Sequence, residues 1–294
     1  MISVIMAAYN AKDFIGPAIE SILNQTYREF ELIIVDDGST DNTLEIVEFY
    51  LEKDNRIQII QSKHLGVSSA RNLGVNEAKY PWIALMDADD VSLPERFEQQ
   101  INATKANPRV VVWGTYAHHI STTGKVLTLV QQGVVNEEDF YHLWNNGHVP
   151  FVINPTALFK KEIFLKVGGY SANFPVSEDF ELCERMGHYG PIIAIPKPLV
   201  LYRVHAHSAS MTKFFLQKLL TRYVSKRHRS RLEGKEEPDL ELFIAQYDKR
   251  PPLVRLKRDI HTLGQFWYRK AGLFSAEKHY LQGVRPRYDI VTKK

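Results

Sequence analysis

Cysteine is nearly absent: Cys183 is the single one in 294 residues. That excludes a disulfide framework and leaves a Cys-based structural zinc site without its ligands, and such usage fits a reducing compartment. Long apolar runs are lacking as well. No stretch approaches the ~20 residues needed to cross a bilayer. The N-terminus, MISVIMAAYN, has no basic region leading into an apolar core and a cleavage site, so no leader is expected. The expectation is a cytoplasmic protein, soluble or peripheral on the inner face of the cell membrane. No long-period repeat or low-complexity tract interrupts the chain, and no glycine falls between Ala7 and Lys12.

An apolar content of 44% and a charged content of 24% are those of a globular protein with one large core, or one core plus an appendage. The net charge of +3 conceals an asymmetry. Residues 1–210 carry 17 Lys+Arg against 25 Asp+Glu, whereas residues 211–294 carry 20 against 9. The chain is therefore read as two parts, 1–210 and 211–294, the second facing something anionic.

Apolar, β-branched runs at Ile2–Met6, Phe30–Val35, Ile57–Gln61 and Trp82–Met86 read as strands. Helical patterns separate them: Phe14–Leu23, Asp41 to about Glu52 with Ser39 or Thr40 as its cap, and Val67–Ala78. Pro94 is placed at the first position of a further helix. The order βαβαβαβ, with strands too apolar to have a wet face, predicts an α/β fold with a mostly parallel sheet covered by helices on both faces. Beyond residue 108 the pattern is mixed. There is a strand at Val110–Trp113, an apolar run Phe151–Phe159 broken at Asn154-Pro155, and a turn at Gly168-Gly169-Tyr170. A helix at Glu178–Met186 and strands at Ile192–Ile195 and Leu199–Tyr202 follow, and helical character resumes from Lys213.

Ligands of open α/β sheets bind at the carboxyl ends of the strands, and three strands here end in Ala8-Tyr9-Asn10, Asp36-Asp37 and Asp87–Asp90. Asp87-Ala88-Asp89 is a D-x-D offering hard oxygen ligands suited to Mg²⁺ or Mn²⁺. The triplet is weak evidence by itself. Its context is stronger, because Asp36-Asp37 ends another strand with no Lys or Arg beside it in sequence. Like charges gathered at strand ends are costly unless a cation or a donor such as a nucleobase N–H is present.

Five blocks in order carry a specific likeness: Ile5-Met-Ala-Ala-Tyr9-Asn10, Ser21-Ile-Leu-Asn-Gln25-Thr26-Tyr27, Val35-Asp-Asp-Gly-Ser39-Thr40-Asp41, Gly66-Val-Ser-Ser-Ala-Arg71-Asn72 and Leu85-Met-Asp-Ala-Asp-Asp90. Together with Gly168-Gly169-Tyr170, Ser177-Glu178-Asp179 and Tyr202-Arg203-Val-His205, they resemble glycosyltransferase family 2 over roughly residues 1–210. The resemblance implies a GT-A fold with a nucleotide-sugar half at about 1–108 and an acceptor half at about 109–210. It also implies a UDP-sugar donor, Mn²⁺ or Mg²⁺, and inversion at the anomeric carbon. Ala7, Tyr9, Asp37, Arg71, Asp87, Ala88, Asp89 and His205 would then line the donor site. In that assignment Asp37 accepts the uracil N3–H, and Asp89 and His205 hold the metal. Ala7-Ala8 stands where relatives often carry threonine. Asp179 matches the catalytic base, which single-displacement inversion requires opposite the leaving diphosphate. Arg203 and His207 flank His205, and Asn154 and His148 are candidates for the acceptor side. The expected process is the synthesis of a bacterial-type surface polysaccharide or glycolipid. The alternatives are a sugar-phosphate nucleotidyltransferase, weakened by the lack of glycine in 7–12, and a non-catalytic carbohydrate-binding protein. A dinucleotide oxidoreductase would need a G-x-G-x-x-G turn that is lacking.

In the C-terminal part, apolar pairs at Phe214-Phe215, Leu219-Leu220 and Tyr223-Val224 precede the run Lys226–Arg231. Two readings stand: a helix packed on the catalytic domain with a solvated end, or a basic amphipathic helix on an anionic membrane that carries a lipid-linked acceptor. No nucleic-acid partner is expected, because no recognition motif accompanies the charges. Residues 264–283 resemble one tetratricopeptide-type hairpin and offer a self-association surface for a homo-oligomer.

Overall fold

The computed structural model describes residues 1–204 and 213–248. His205, His207 and the hairpin expected at 264–283 lie outside the described residues. Strand β1 (Ile2–Ala8) runs between β2 (Phe30–Asp36) and β4 (Trp82–Asp87), parallel to both, and β3 (Ile57–Gln61) extends the sheet beyond β2. The sheet continues from β4 through β8 (Leu158–Lys160), β6 (Val112–Ile120) and β9 (Ile192–Arg203) to the two-residue β5 (Val91–Ser92), with β7 (Val126–Val130) paired on β6. Its N-terminal half is wholly parallel; beyond β4 it is mixed, β8 running antiparallel to both neighbours and β6 parallel to β9.

Side chains alternate across a strand, and the two faces of this sheet bury alternate residues. Val4, Met6, Leu32, Ile34, Ala84 and Met86 pack with Ile15 and Ile19 of α1 (Ile15–Leu23), Val47 of α2 (Thr43–Leu51) and Phe97 of α4 (Arg96–Ala106). Ile5, Ile33, Val35, Ile83 and Leu85 face the other way, onto α3 (Val67–Glu77), α5 (Glu137–Asn145), α6 (Lys161–Lys166) and α7 (Glu178–Gly187). Every residue of β2 is buried, as a strand covered on both sides requires.

Helix α8 (Phe214–Leu232), followed by α9 (Leu240–Asp248), belongs to this second layer: Leu220, Tyr223 and Val224 join the same cluster as Leu182 and Met186. The run Lys226–Arg231 is solvated in part: Lys226 and Arg229 are exposed, while Arg227 and His228 turn inward. Arg227 is buried and pairs with Glu181 and Glu184 at 2.9 and 2.5 Å, and Arg231 reaches Glu184 at 2.8 Å. Part of the anionic surface expected for this segment is therefore the chain's own α7.

Several local expectations are corrected. Neither Ser39 nor Thr40 caps α2, which begins at Thr43. Ser39 instead accepts the Asn10 N–H through its hydroxyl at 3.0 Å. Pro94 precedes α4 by two residues, and its carbonyl accepts the Thr26 N–H at 2.8 Å. The two strands expected at Ile192–Ile195 and Leu199–Tyr202 are one strand, β9, whose register against β6 shifts around Thr115–Ala117, where Pro196 and Pro198 fall. Proline in a strand is accommodated at such irregularities.

Candidate active site

Parallel pairing aligns the strand ends: Ala7 lies opposite Val35 and Asp87, and Ala8 opposite Asp36. Tyr9, Asp37 and Asp87–Asp90 therefore issue from one edge of the sheet. Tyr9 is exposed, and its ring lies 4.1 Å from that of His64, centroid to centroid. Ala7 is partly buried and Ala88 is buried.

Asp37 is buried. Its carboxylate accepts the backbone N–H groups of Leu65 and Gly66, each at 2.8 Å, and the Ser62 hydroxyl. Gly66 caps α3, so the carboxylate sits at the positive end of that helix. Three donors occupy three of its four lone-pair positions, and His64 Nδ1 lies 3.6 Å from Oδ2, which has the fourth.

Arg71 joins the two halves of the site. It is buried, and Nη2 donates to Asp87 Oδ1 at 2.7 Å while Nη1 donates to Glu178 Oε1 at 3.0 Å. Burial alone would lower its pKa, but Asp87 and Glu178 raise it and keep the guanidinium charged. Asn154, with its amide oxygen turned inward, accepts from Nη1 at 2.9 Å and Nη2 at 3.2 Å and donates to the Tyr170 hydroxyl at 3.2 Å. Tyr170 is itself fixed by Asn72, which exchanges two hydrogen bonds with its backbone at 2.8 and 2.9 Å. Arg71 thus supplies Asp87 with the cation that is missing from its sequence neighbourhood.

Asp90 is fully buried, and Oδ1 accepts the Arg203 N–H at 2.7 Å. Its Oδ2 has no hydrogen-bond partner among the described residues. Burial, then Asp87 and Asp89, push its carboxyl well above the ordinary range. A divalent cation among these carboxylates would relieve that charge, so the donor set of hard oxygens fits Mn²⁺ or Mg²⁺. Arg203 is engaged elsewhere, donating to the carbonyls of Asp89, Ser121 and Thr122 at 2.7, 2.8 and 2.9 Å, and so braces the acidic loop rather than reaching toward a diphosphate.

Asp179 stands in the first turn of α7, with Oδ1 accepting the Phe180 N–H at 2.8 Å. Burial, with Glu178 beside it, lifts its carboxyl to about 7. An apolar cavity of about 10 Å³, lined in part by Leu85, Val152, Tyr170 and Cys183, lies against the partly buried Asp179. Asn154 thus belongs to the site, whereas His148 is an exposed residue just beyond α5.

Sequence reasoning missed Arg96. It is fully buried, and Nη2 donates to the Leu85 carbonyl at 2.8 Å. Burial draws it down to about 9, against the pull of Asp90 and Asp87, so it still supplies positive charge beneath the acidic loop at neutral pH. A basic residue on the apolar face of α4 was the available signal. The Ser21–Tyr27 block has a structural role: the Gln25 side chain ties α1 to Ser92, Leu93 and Phe97.

A family model described as Glycosyl transferase family 2 matches residues 3–168. The O-antigen biosynthesis glycosyltransferase WbnJ of Escherichia coli is 34% identical over 247 residues, covering 76% of this chain and 93% of that protein. The glycosyltransferase GlyG of Streptococcus pneumoniae serotype 4 is 30% identical over 233 residues, covering 74% and 75%. Among solved structures, residues 1–349 of S. aureus TarS in complex with UDP-GlcNAc align with a TM-score of 0.61 at 19% identity, over 100% of this chain and 95% of that one. That likeness shows the GT-A fold. With the family model spanning more than half of its length, the chain belongs to glycosyl transferase family 2.

Proposed function

We propose that this glycosyltransferase is inverting and moves a sugar from a UDP-sugar to a hydroxyl of a saccharide or lipid-linked saccharide, in the synthesis of a surface polysaccharide or glycolipid. The observation that carries the reading is Asp179, a carboxylate lifted to about 7 and linked through Glu178 and Arg71 to the D-x-D carboxylate Asp87. In this reading Tyr9 and Asp37 hold the uracil, Asp37 through the acceptor position left on Oδ2. Asp89, with His205, would hold Mn²⁺ or Mg²⁺, which when bound neutralises diphosphate charge. Asp179 Oδ2 takes the proton of the acceptor hydroxyl, the freed oxygen bonds to the anomeric carbon, and the bond from that carbon to the diphosphate breaks, releasing UDP. A base near neutrality suits this task, because a large fraction is ionised at neutral pH and that fraction is basic enough to accept a proton. WbnJ is an O-antigen biosynthesis enzyme by name, which supports the polysaccharide assignment.

The test is transfer from a panel of UDP- and GDP-sugars with the wild-type chain and Asp179→Asn. The variant is expected to lose roughly 10²-fold or more in turnover with donor affinity unchanged. Full activity in Asp179→Asn removes it from the mechanism, and a preference for GDP-sugars overturns the role given to Asp37.

A further inference from the structure

A second cluster lies at the opposite end of α7 from Asp179, where that helix meets α8. Glu184 on α7 and His188 just past its end are four residues apart, with His188 Nε2 at 3.2 Å from Glu184 Oε1. From α8, His228 brings Nδ1 to 3.8 Å from the same oxygen. One donor atom from each of the three residues lies within 4.8 Å of the others. A tetrahedral zinc site with bonds of about 2.0–2.1 Å sets its ligand atoms about 3.3–3.4 Å apart, so small adjustments close the set around an ion.

The state of His228 is the second observation. Its side chain is fully buried, and Nε2 lies 3.0 Å from the Trp144 carbonyl oxygen. A carbonyl only accepts, so Nε2 carries the proton. Nδ1 has no hydrogen-bond partner among the described residues and faces the Glu184 carboxylate, 3.8 Å away. A proton on Nδ1 or a metal cation in the gap would satisfy both atoms, and the nearby His188 ring nitrogen supplies the third ligand that a metal needs. A ring N–H held by a backbone carbonyl is also the usual way that a metal-ligating histidine is oriented.

Two arginines already attend Glu184, and an ion has to displace one of them: Arg231 Nη1 lies 2.8 Å from Oε1 and 3.5 Å from His188 Nε2. Arg227 Nη2 donates to Oε2 at 2.5 Å and is anchored on Glu181 as well. Arg231 Nη1 donates to Oε1 at 2.8 Å, but its Nε and Nη2 form a fork on Glu237 at 2.6 and 3.0 Å. Arg231 can withdraw onto Glu237 while Arg227 retains Oε2, and Oε1 is then free for the metal. A cleft of about 340 Å³ beside His188, Tyr189 and Arg231 gives the ion a path in and a place for a water as fourth ligand.

We propose that Glu184, His188 and His228 form a site for a borderline divalent metal of the zinc class, which staples α8 to α7. Two imidazoles and one carboxylate suit Zn²⁺, Co²⁺ or Ni²⁺ over the hard ions expected at the strand ends. The role is structural, since the cluster bears no relation to the acidic loop except through α7.

The experiment uses the full-length chain in an Asp89→Asn background, so that the strand-end carboxylates do not compete, with Co²⁺ as the spectroscopic probe and Zn²⁺ as competitor. One Co²⁺ per chain with the visible absorption of a four-coordinate site, displaced by Zn²⁺, is expected. Adding His188→Gln at its exposed position abolishes that spectrum while the metal-free melting temperature stays the same. Adding Arg231→Gln instead, which removes the competing guanidinium, tightens binding about tenfold. Saturating Zn²⁺ raises the melting temperature by several degrees in the background chain and not in the His188→Gln chain. Absence of the cobalt spectrum, or the same spectrum and affinity with and without His188, overturns the proposal.

Discussion

At Arg71 one guanidinium is shared by carboxylates from positions 87 and 178, so the end of β4 and the first turn of α7 are tied together. The neighbouring Asp179 is displaced in the opposite electrostatic sense, lifted to about 7 by burial and by Glu178. Two pH effects follow. Below about 7 the residue is protonated and cannot accept the acceptor's proton, so log kcat/KM should fall with unit slope as pH drops. A flat profile between about pH 5 and 8 contradicts the assignment. For stability the sign is different: a raised carboxyl pKa means that the folded state binds the proton more tightly than the unfolded chain, so ionisation costs stability progressively as pH rises toward about 7. Asp179→Asn should accordingly melt at a higher temperature than wild type at pH 8, with the gap narrowing as pH is lowered toward 4. The acids themselves were legible in sequence, because they punctuate apolar strands. Arg71's partners were not, since Glu178 lies 107 positions away and only the tertiary fold brings it into reach.

Among the elements, α7 links the most functions: its first turn bears Glu178 and Asp179, and its middle carries Glu181 and Glu184. The turn that leads toward it depends on Gly169. There φ is +66°, and an added Cβ would come within 2.7 Å of Asn72 Oδ1, the atom that fixes Tyr170 beside Arg71. Gly169→Ala should therefore lose about 1–3 kcal/mol in chemical denaturation and lower activity further by displacing Tyr170. An unchanged midpoint would show that the turn relaxes freely. The parallel strands were readable because burial on both faces demands unbroken apolar runs. Helices α5 and α6 and strand β7 were not, since each shows the core only one or two large side chains, such as Phe140 and Trp144 of α5. In β9, Pro196 and Pro198 interrupt the apolar pattern although the strand continues past them.

For the molecule as a whole, the opposite charges of 1–210 and 211–294 are partly a pairing within the fold: Glu181 and Glu184 are buried, and besides Arg185 of α7 they pair with Arg227 and Arg231 of α8. Breaking a buried ion pair by removing one partner costs about 3–5 kcal/mol, a large share of the ~5–15 kcal/mol that holds a typical domain folded. A chain ended at residue 210 should therefore fail to give a monodisperse folded species by gel filtration and circular dichroism. A stable, active fragment would show α8 to be dispensable. Among the described residues, the non-glycine positions with positive φ are Asn10, His64 and Ser177. The first two follow strand ends beside Tyr9 and Asp37, and the third precedes Glu178. Such conformations cost of order 1 kcal/mol or more each for a residue with a Cβ. These turns thus store conformational energy that glycine would release, and His64→Gly should yield a tougher scaffold in thermal melts with slower turnover, the two properties moving in opposite directions.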